Sequence, residues 1–170
     1  MQTLDLDSGA YRASTLHDLH DFAHLQYQLT NVSWFTRCCV ATDMVGVEAL
    51  DINTAYALLA GTIKPVATSF NLAEYVEPIV KMMDMAEGRE GAFAQHPWLL
   101  AHISPIISLL RFGADAVEVC FECVKHNITV SCITAAQSGA TAPAAPAGVL
   151  TQSLAETLAA LTMVHVMKPG

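Results

Sequence analysis

Residues 128–146 read ITVSCITAAQSGATAPAAP and run directly into GVLTQSLAETLAALTMVHVMKPG. In the first half, Ile128, Val130, Cys132 and Ile133 are β-branched or small and are bounded by turn residues, the pattern of a buried strand. Gln137, Ser138, Gly139 and Thr141 follow at once, so their amide, hydroxyl and bare backbone groups emerge at the C-terminal end of that strand. Parallel α/β folds place ligands there. The run 139–148 is made almost entirely of small residues and proline. It has no bulk for a core, and it suits either a flexible linker or a backbone that lies close to a ligand or partner chain. The periodic apolar run beyond it predicts a long helix.

The same alternation extends back along the chain. Residues 14–30 place Leu16, Leu19, Ala23 and Tyr27 on one helical face, with Ser14 or Thr15 as N-cap. CCVAT at 38–42 reads as a short buried strand, which puts the carboxylate of Asp43 at its end. DINTAYALLAG at 51–61 reads as a helix with an acidic cap and a terminal glycine. PVAT at 65–68 is the next strand, with Ser69, Phe70 and Asn71 at its end. Asn71 and Glu74 make a capping-type start to a helix reaching Gly88, with Pro78 expected to divide it. WLLAHI at 98–103 is a third strand, stopped by Ser104 and Pro105. Residues 113–127 form a helix with Ala116, Val117, Cys120, Phe121 and Val124 on one face. A helix followed by four strand–helix units predicts an α/β fold with a parallel sheet, of the size of half a (βα)8 barrel.

The totals set bounds. At 170 residues, 53% hydrophobic and 14% charged, the chain has material for one core, and a formal charge of −8 disfavours nucleic acid and anionic membrane. No uninterrupted apolar run reaches the ~18 residues of a membrane span, and the N-terminus lacks the basic and apolar regions of a leader. The five cysteines are odd in number and scattered among apolar neighbours, which fits a reducing compartment. These points together predict a cytoplasmic protein.

Two constellations invite a metal. His17, His20 and His24 recur at helical spacing, and Cys120, Cys123 and His126 form a CxxC with a nearby histidine. The spacing of the first dictates no acidic or thiol ligand, and the second lies inside a helix with Cys120 on the core face and no second CxxC. No metal site is expected, and a metal-binding or thiol-redox module on Cys120, Cys123 and His126 is kept as the alternative.

The chain resembles the trimethylamine methyltransferase family. The resemblance runs from STLHDLHDFAHLQYQLTNVSWFTR through VATDM, LDINTAYALLAGTIK, SFN and MMDMAEG to SGATAPAAPAGVLTQSLAETLA, the last being the most specific piece. It implies a partial (βα)8 TIM barrel of about four βα units preceded by an N-terminal helix, with residues 1–170 forming one partial domain truncated at both ends. It also implies transfer of a methyl group from a tertiary or quaternary methylamine, trimethylamine or betaine-like, to the cobalt of a corrinoid. That cofactor is carried by a separate corrinoid protein and is not bound directly by this chain. An isolated piece of this length is expected to be inactive, with homo-oligomer formation left to the full-length parent; a non-catalytic α/β segment is a further alternative.

A quaternary ammonium has no proton to donate, so its site needs aromatic faces, apolar walls and a carboxylate. Asp43, Ser69, Phe70, Asn71, Ser104, Gln137, Ser138, Gly139 and Thr141 are expected to converge at the strand ends, with Phe70 offering a ring and Asp43 the countercharge. Trp34 is a weaker candidate, and Trp98 precedes its strand and belongs at the opposite end. No catalytic acid, base or nucleophile stands out.

Overall fold

The computed structural model describes residues 2–107 and 109–169. Its centre is a four-stranded parallel sheet of β3 (Phe35–Thr36), β4 (Val66–Thr68), β5 (Leu99–Ile103) and β8 (Thr129–Cys132), laid side by side in chain order. Between and after them run α2 (Val47–Gly61), α3 (Val76–Glu87), α4 (Ala114–Lys125) and α5 (Pro146–Met167), and α1 (Leu16–Gln28) precedes the first strand. Sequential parallel order is the outcome expected of strand–helix units added one after another. Both β3 and β8 are edges.

Side-chain alternation gives the sheet two unlike faces. Phe35, Val66, Leu99, Ala101 and Ile103 enter one core with Leu19, Ala55, Leu58, Ile79, Met83, Val119, Cys120 and Cys123 of the helices. The lateral register sets Thr36 beside Ala67, Ala67 beside Leu100, and Leu100 beside Thr129, with His102 beside Ser131. These residues face away from the helical core. Ala67 is buried, Leu100, His102 and Ser131 are half-buried and Thr129 is exposed, so the second face mixes apolar and polar residues and is only partly covered.

Local chemistry explains the helices. Thr15 caps α1: its hydroxyl accepts from Asp18 N at 3.3 Å, and the Asp18 carboxylate accepts from Thr15 N at 2.8 Å. Ser14, the other candidate cap, is buried and donates to Val40 O at 2.8 Å. Helices α1 and α2 cross so closely at Gly61 that a Cβ there would lie 2.6 Å from Ala23 Cβ and 2.9 Å from His20 O. Gly88 ends α3 in the left-handed conformation, φ 81°. Val119, Cys120 and Cys123 form the buried stripe of α4, while Phe121 is 56% exposed; the apolar face of this helix is therefore rotated from the one the sequence suggests.

Several expectations are corrected. The first strand is Phe35–Thr36, not 38–42: Phe35 N donates to Pro65 O at 3.0 Å and Arg37 N to Ala67 O at 2.9 Å. Residues 38–42 leave the sheet and bond to Ser14, whose carbonyl accepts from Thr42 N at 2.9 Å and Thr42 Oγ1 at 2.8 Å. Helix α2 begins at Val47, so Asp51 is an interior residue and not a cap. Asn71 is likewise no cap; a 3₁₀ turn at Ala73–Tyr75 leads into α3, where Pro78 falls in the first turn and breaks nothing.

Two antiparallel hairpins were not anticipated. The first pairs β1 (Gln2–Leu4) with β2 (Tyr11–Ala13), its turn tied by Asp5 Oδ1 accepting from Ser8 N at 2.8 Å. The second pairs β6 (Ile106–Ile107) with β7 (Arg111–Phe112).

Helix α5 spans 22 residues and contains an 18-residue window with a mean hydropathy of 1.2, long and apolar enough to cross a membrane by length and composition. Scattered Thr, Ser and Gln hide this from a search for an uninterrupted apolar run. The helix packs on the fold through Ala160, Met163 and the buried Glu156. Leu150, Leu154, Leu158 and Leu161 stand exposed along it.

Candidate functional site

At the C-terminal end of the sheet, Thr36, Arg37, Cys39, Thr68, Ser69, His102 and Ile133 line a cleft of about 290 Å³. Strand register assembles it. Thr36 ends β3, Thr68 ends β4, His102 is the penultimate residue of β5, and Ile133 follows β8. Thr36 Oγ1 and His102 Nε2 are 3.2 Å apart, within hydrogen-bonding distance. The other ring nitrogen of His102, Nδ1, is buried with no partner among the described residues, and burial lowers the imidazole's affinity for a proton. The Trp34 ring lies 6.0 Å from that of His102, centroid to centroid.

Arg37 supplies the positive charge of the cleft. Burial lowers the pKa of its guanidinium, against the opposing pull of the Asp51 carboxylate. Burial raises that of Asp51, against bonds from Asn71 and the charge of Arg37. Desolvation thus outweighs their mutual attraction on both sides. Cys39 carries a thiol pushed up to about 11, again by burial first, which keeps it protonated and a poor nucleophile at neutral pH.

Of the nine residues proposed from the sequence, Ser69 lines this cleft. Asp43 is exposed and caps α1, its Oδ1 accepting from Leu16 N at 2.9 Å. It does not end a strand, because the first strand stops at Thr36. Phe70 is 8% exposed and packs in the helix-facing core; alternation from Ala67 sends it to that side, so its ring is not offered to the cleft. Asn71 donates from its backbone N to Asp51 Oδ2 at 2.7 Å and from its side chain to Asp51 Oδ1. Ser104 donates to Ile106 O at 3.2 Å as the chain turns into β6.

The run after β8 is a tied turn and not a slack linker. Gln137 O accepts from the backbone N of Ala140, Thr141 and Ala142. Gln137 N donates to Thr141 Oγ1 at 3.0 Å, and Ser138 Oγ donates to Ala144 O at 3.0 Å. Gly139 takes φ 75°, a conformation that glycine adopts without strain. Glu156 of α5, 1% exposed, accepts from Thr134 Oγ1 at 2.9 Å and from Gln152 Nε2 at 2.9 Å, and the same amide donates to Thr141 O at 2.8 Å. Gln137, Ser138, Gly139 and Thr141 therefore form one unit, held to α5 and apart from the residues lining the cleft.

The sequence reading missed Thr36, Arg37 and His102. The signal for His102 was present: period-two alternation in LLAHI puts it on the face opposite Leu99, Ala101 and Ile103. Arg37 was hidden by the misplaced first strand. The CxxC is a core feature: Cys120 and Cys123 are fully buried and unpaired, and His126 Nε2 lies 3.0 Å from Glu122 Oε1. His17, His20 and His24 stack along the surface of α1 at 6.4 Å between successive rings.

A parallel sheet with helices packed on one face and a cleft at its strand ends defines an α/β protein. The model of one family, described as trimethylamine methyltransferase (MTTB), matches residues 2–170, and the chain belongs to that family. It is 25% identical over 157 residues to trimethylamine methyltransferase MttB1 of Methanosarcina mazei, covering 92% of this chain and 32% of that protein. It is 28% identical over 162 residues to trimethylamine methyltransferase MttB of Methanosarcina barkeri, covering 90% and 31%. The chain spans about a third of the length of these curated relatives.

Proposed function

We propose that this chain forms the first half of a (βα)8 barrel in a cytoplasmic enzyme that moves a methyl group from a tertiary or quaternary methylamine to a corrinoid carried on a separate protein. The family match over residues 2–170 carries the reading. The open sheet supports the barrel: four parallel strands in order, helical core on one side, a partly covered face carrying Thr36, His102 and Ser131 on the other, and edges at β3 and β8. Further βα units added at β8 would cover the exposed leucines of α5 and turn the second face into a lumen.

The chemistry sets modest demands on the chain. Methyl transfer is a substitution at carbon in which the C–N bond breaks and its electron pair leaves with a neutral amine, which requires a nitrogen that is quaternary or, in a tertiary amine, already protonated. The corrinoid supplies the cobalt nucleophile that accepts the methyl group. The residues lining the cleft then have to hold the amine in line and keep water out, not donate or remove protons from carbon. A neutral His102 and the hydroxyls of Thr36 and Ser69 suit that role, since none competes as a strong nucleophile. A thiol-redox module finds less support, because Cys120 and Cys123 are sealed in the core.

The test is turnover by the full-length protein carrying this chain, mixed with a reduced corrinoid protein and a panel of tertiary and quaternary methylamines. Loss of one methyl group per corrinoid methylated, read by mass spectrometry and absorbance, is the expected result. No methylation with any of these amines would overturn the proposal.

A further inference from the structure

We infer that Cys38 and Cys39 form a vicinal dithiol site for a thiophilic centre that takes two sulfur ligands, trivalent organic arsenic above all, held in the cavity beneath the N-terminal hairpin. The two residues leave β3 in succession, Cys38 exposed and Cys39 5% exposed, and neither is in a disulfide. Both nonetheless line one cavity of about 800 Å³ shared by the hairpin, α1 and Phe35 of β3, and their side chains hydrogen-bond to each other. Cys39 also lines the strand-end cleft, so it stands between the two hollows. Cys120, Cys123 and Cys132 line neither.

Chain geometry favours an inserted atom over a direct disulfide. Consecutive Cα atoms across a trans peptide stand about 3.8 Å apart, short of the roughly 4.4–6.8 Å that a disulfide spans. Two sulfurs bound to one larger atom stand farther apart than two bound to each other, which relaxes the ring. Burial leads in raising both thiols, Cys39 to about 11; they are kept as thiols at neutral pH, and the basic sulfurs become strong donors to a soft centre once their protons leave. The walls select further, because Leu4, Phe22, Leu25 and Phe35 also line the cavity and take an aryl or alkyl group on the arsenic out of water. With an arsine oxide, two As–S bonds replace the As–O double bond, both S–H bonds break, and the two protons leave with the oxygen as one water. Arsenic stays trivalent, and no electrons are transferred.

The experiment treats the folded full-length protein with phenylarsine oxide, challenges the adduct with excess glutathione or with 2,3-dimercaptopropanol, and maps it by peptide mass spectrometry. The wild type should carry one phenylarsenic across Cys38 and Cys39, which survives the monothiol and is released by the dithiol. Cys38→Ser, a change at an exposed position, should weaken binding about a hundredfold or more, the gain lost when the second bond is no longer intramolecular. Cys39→Ala should do the same; should it fail to fold, Cys38→Ser decides alone. Absence of an adduct on the wild type, an adduct bridging any of Cys120, Cys123 and Cys132, or one held at wild-type affinity by Cys38→Ser overturns the inference.

Discussion

The hydroxyl of Thr36 stands 3.2 Å from Nε2 of His102, joining residues 66 positions apart across the C-terminal end of the sheet. The pair fixes the imidazole between strand ends, while Nδ1 is buried with no partner among the described residues. Thr36→Val keeps the shape and removes the hydroxyl. It should lower stability by about 1 kcal/mol and, in the full-length protein, weaken amine binding through a loosened ring. Denaturant unfolding and ligand titration check this; unchanged values for both would show the contact to be incidental.

Glu156 ties the turn after β8 to α5 through Thr134 and Gln152, at 2.9 Å each. Glu156→Ala leaves the Thr134 hydroxyl without that partner in a closed site and should cost about 1–3 kcal/mol, the range for a buried polar group left unsatisfied. Hydrogen exchange should accelerate across residues 134–146. Exchange confined to its wild-type rate there would mean that the small residues hold their turn unaided.

Acid should loosen the N-terminal hairpin first. The Arg12 guanidinium, paired with Asp18 at 2.7 Å, leads in holding that carboxyl well below the usual carboxylate range. A depressed folded value means that the unfolded chain binds the proton more readily. The stabilisation is therefore complete above about pH 5, where an unfolded aspartate is almost fully ionised, and is lost as pH falls from there toward the folded value. Asp18→Asn should be less stable at pH 7 and show a shallower loss between about pH 5 and 2. An acid slope identical to wild type would place the sensitivity elsewhere.

The thiols should divide by exposure. Burial pushes Cys120 up to about 12 and Cys123 higher still, whereas Cys38 is exposed. A maleimide at neutral pH should label Cys38 first in the native protein and reach Cys120 and Cys123 only on unfolding. Native labelling of Cys123 at the rate of Cys38, or stoichiometric zinc lost in Cys123→Ser, would revive the metal or redox alternative.

Much of the sheet could be read from the chain because its strands are short apolar runs closed by Pro, Gly, Ser or Asn, and the helices between them keep a clear period. LLAHI and ITVSC announce β5 and β8 in this way. The first strand was misread because CCVAT looks as strand-like as WFT, and only pairing with Pro65 and Ala67 distinguishes them. That one error moved Asp43 to a strand end and removed Arg37 from view. Phe70 was misjudged for a different reason: being near a strand end does not say which face a side chain takes. Counting alternation from Ala67 would have placed it in the core. The hairpins at 2–13 and 106–112 rest on strands of two or three residues, too short for a period to register.

The most direct test of the central claim is an experimental structure of the full-length protein with a methylated amine bound. The account predicts that β3, β4, β5 and β8 are four adjacent strands of a closed barrel, with the amine inside it near Thr36, Ser69 and His102 and on the side of the sheet away from Leu99 and Ala101. An amine bound among the helices, at the N-terminal strand ends, or against a sheet that stays open would contradict it.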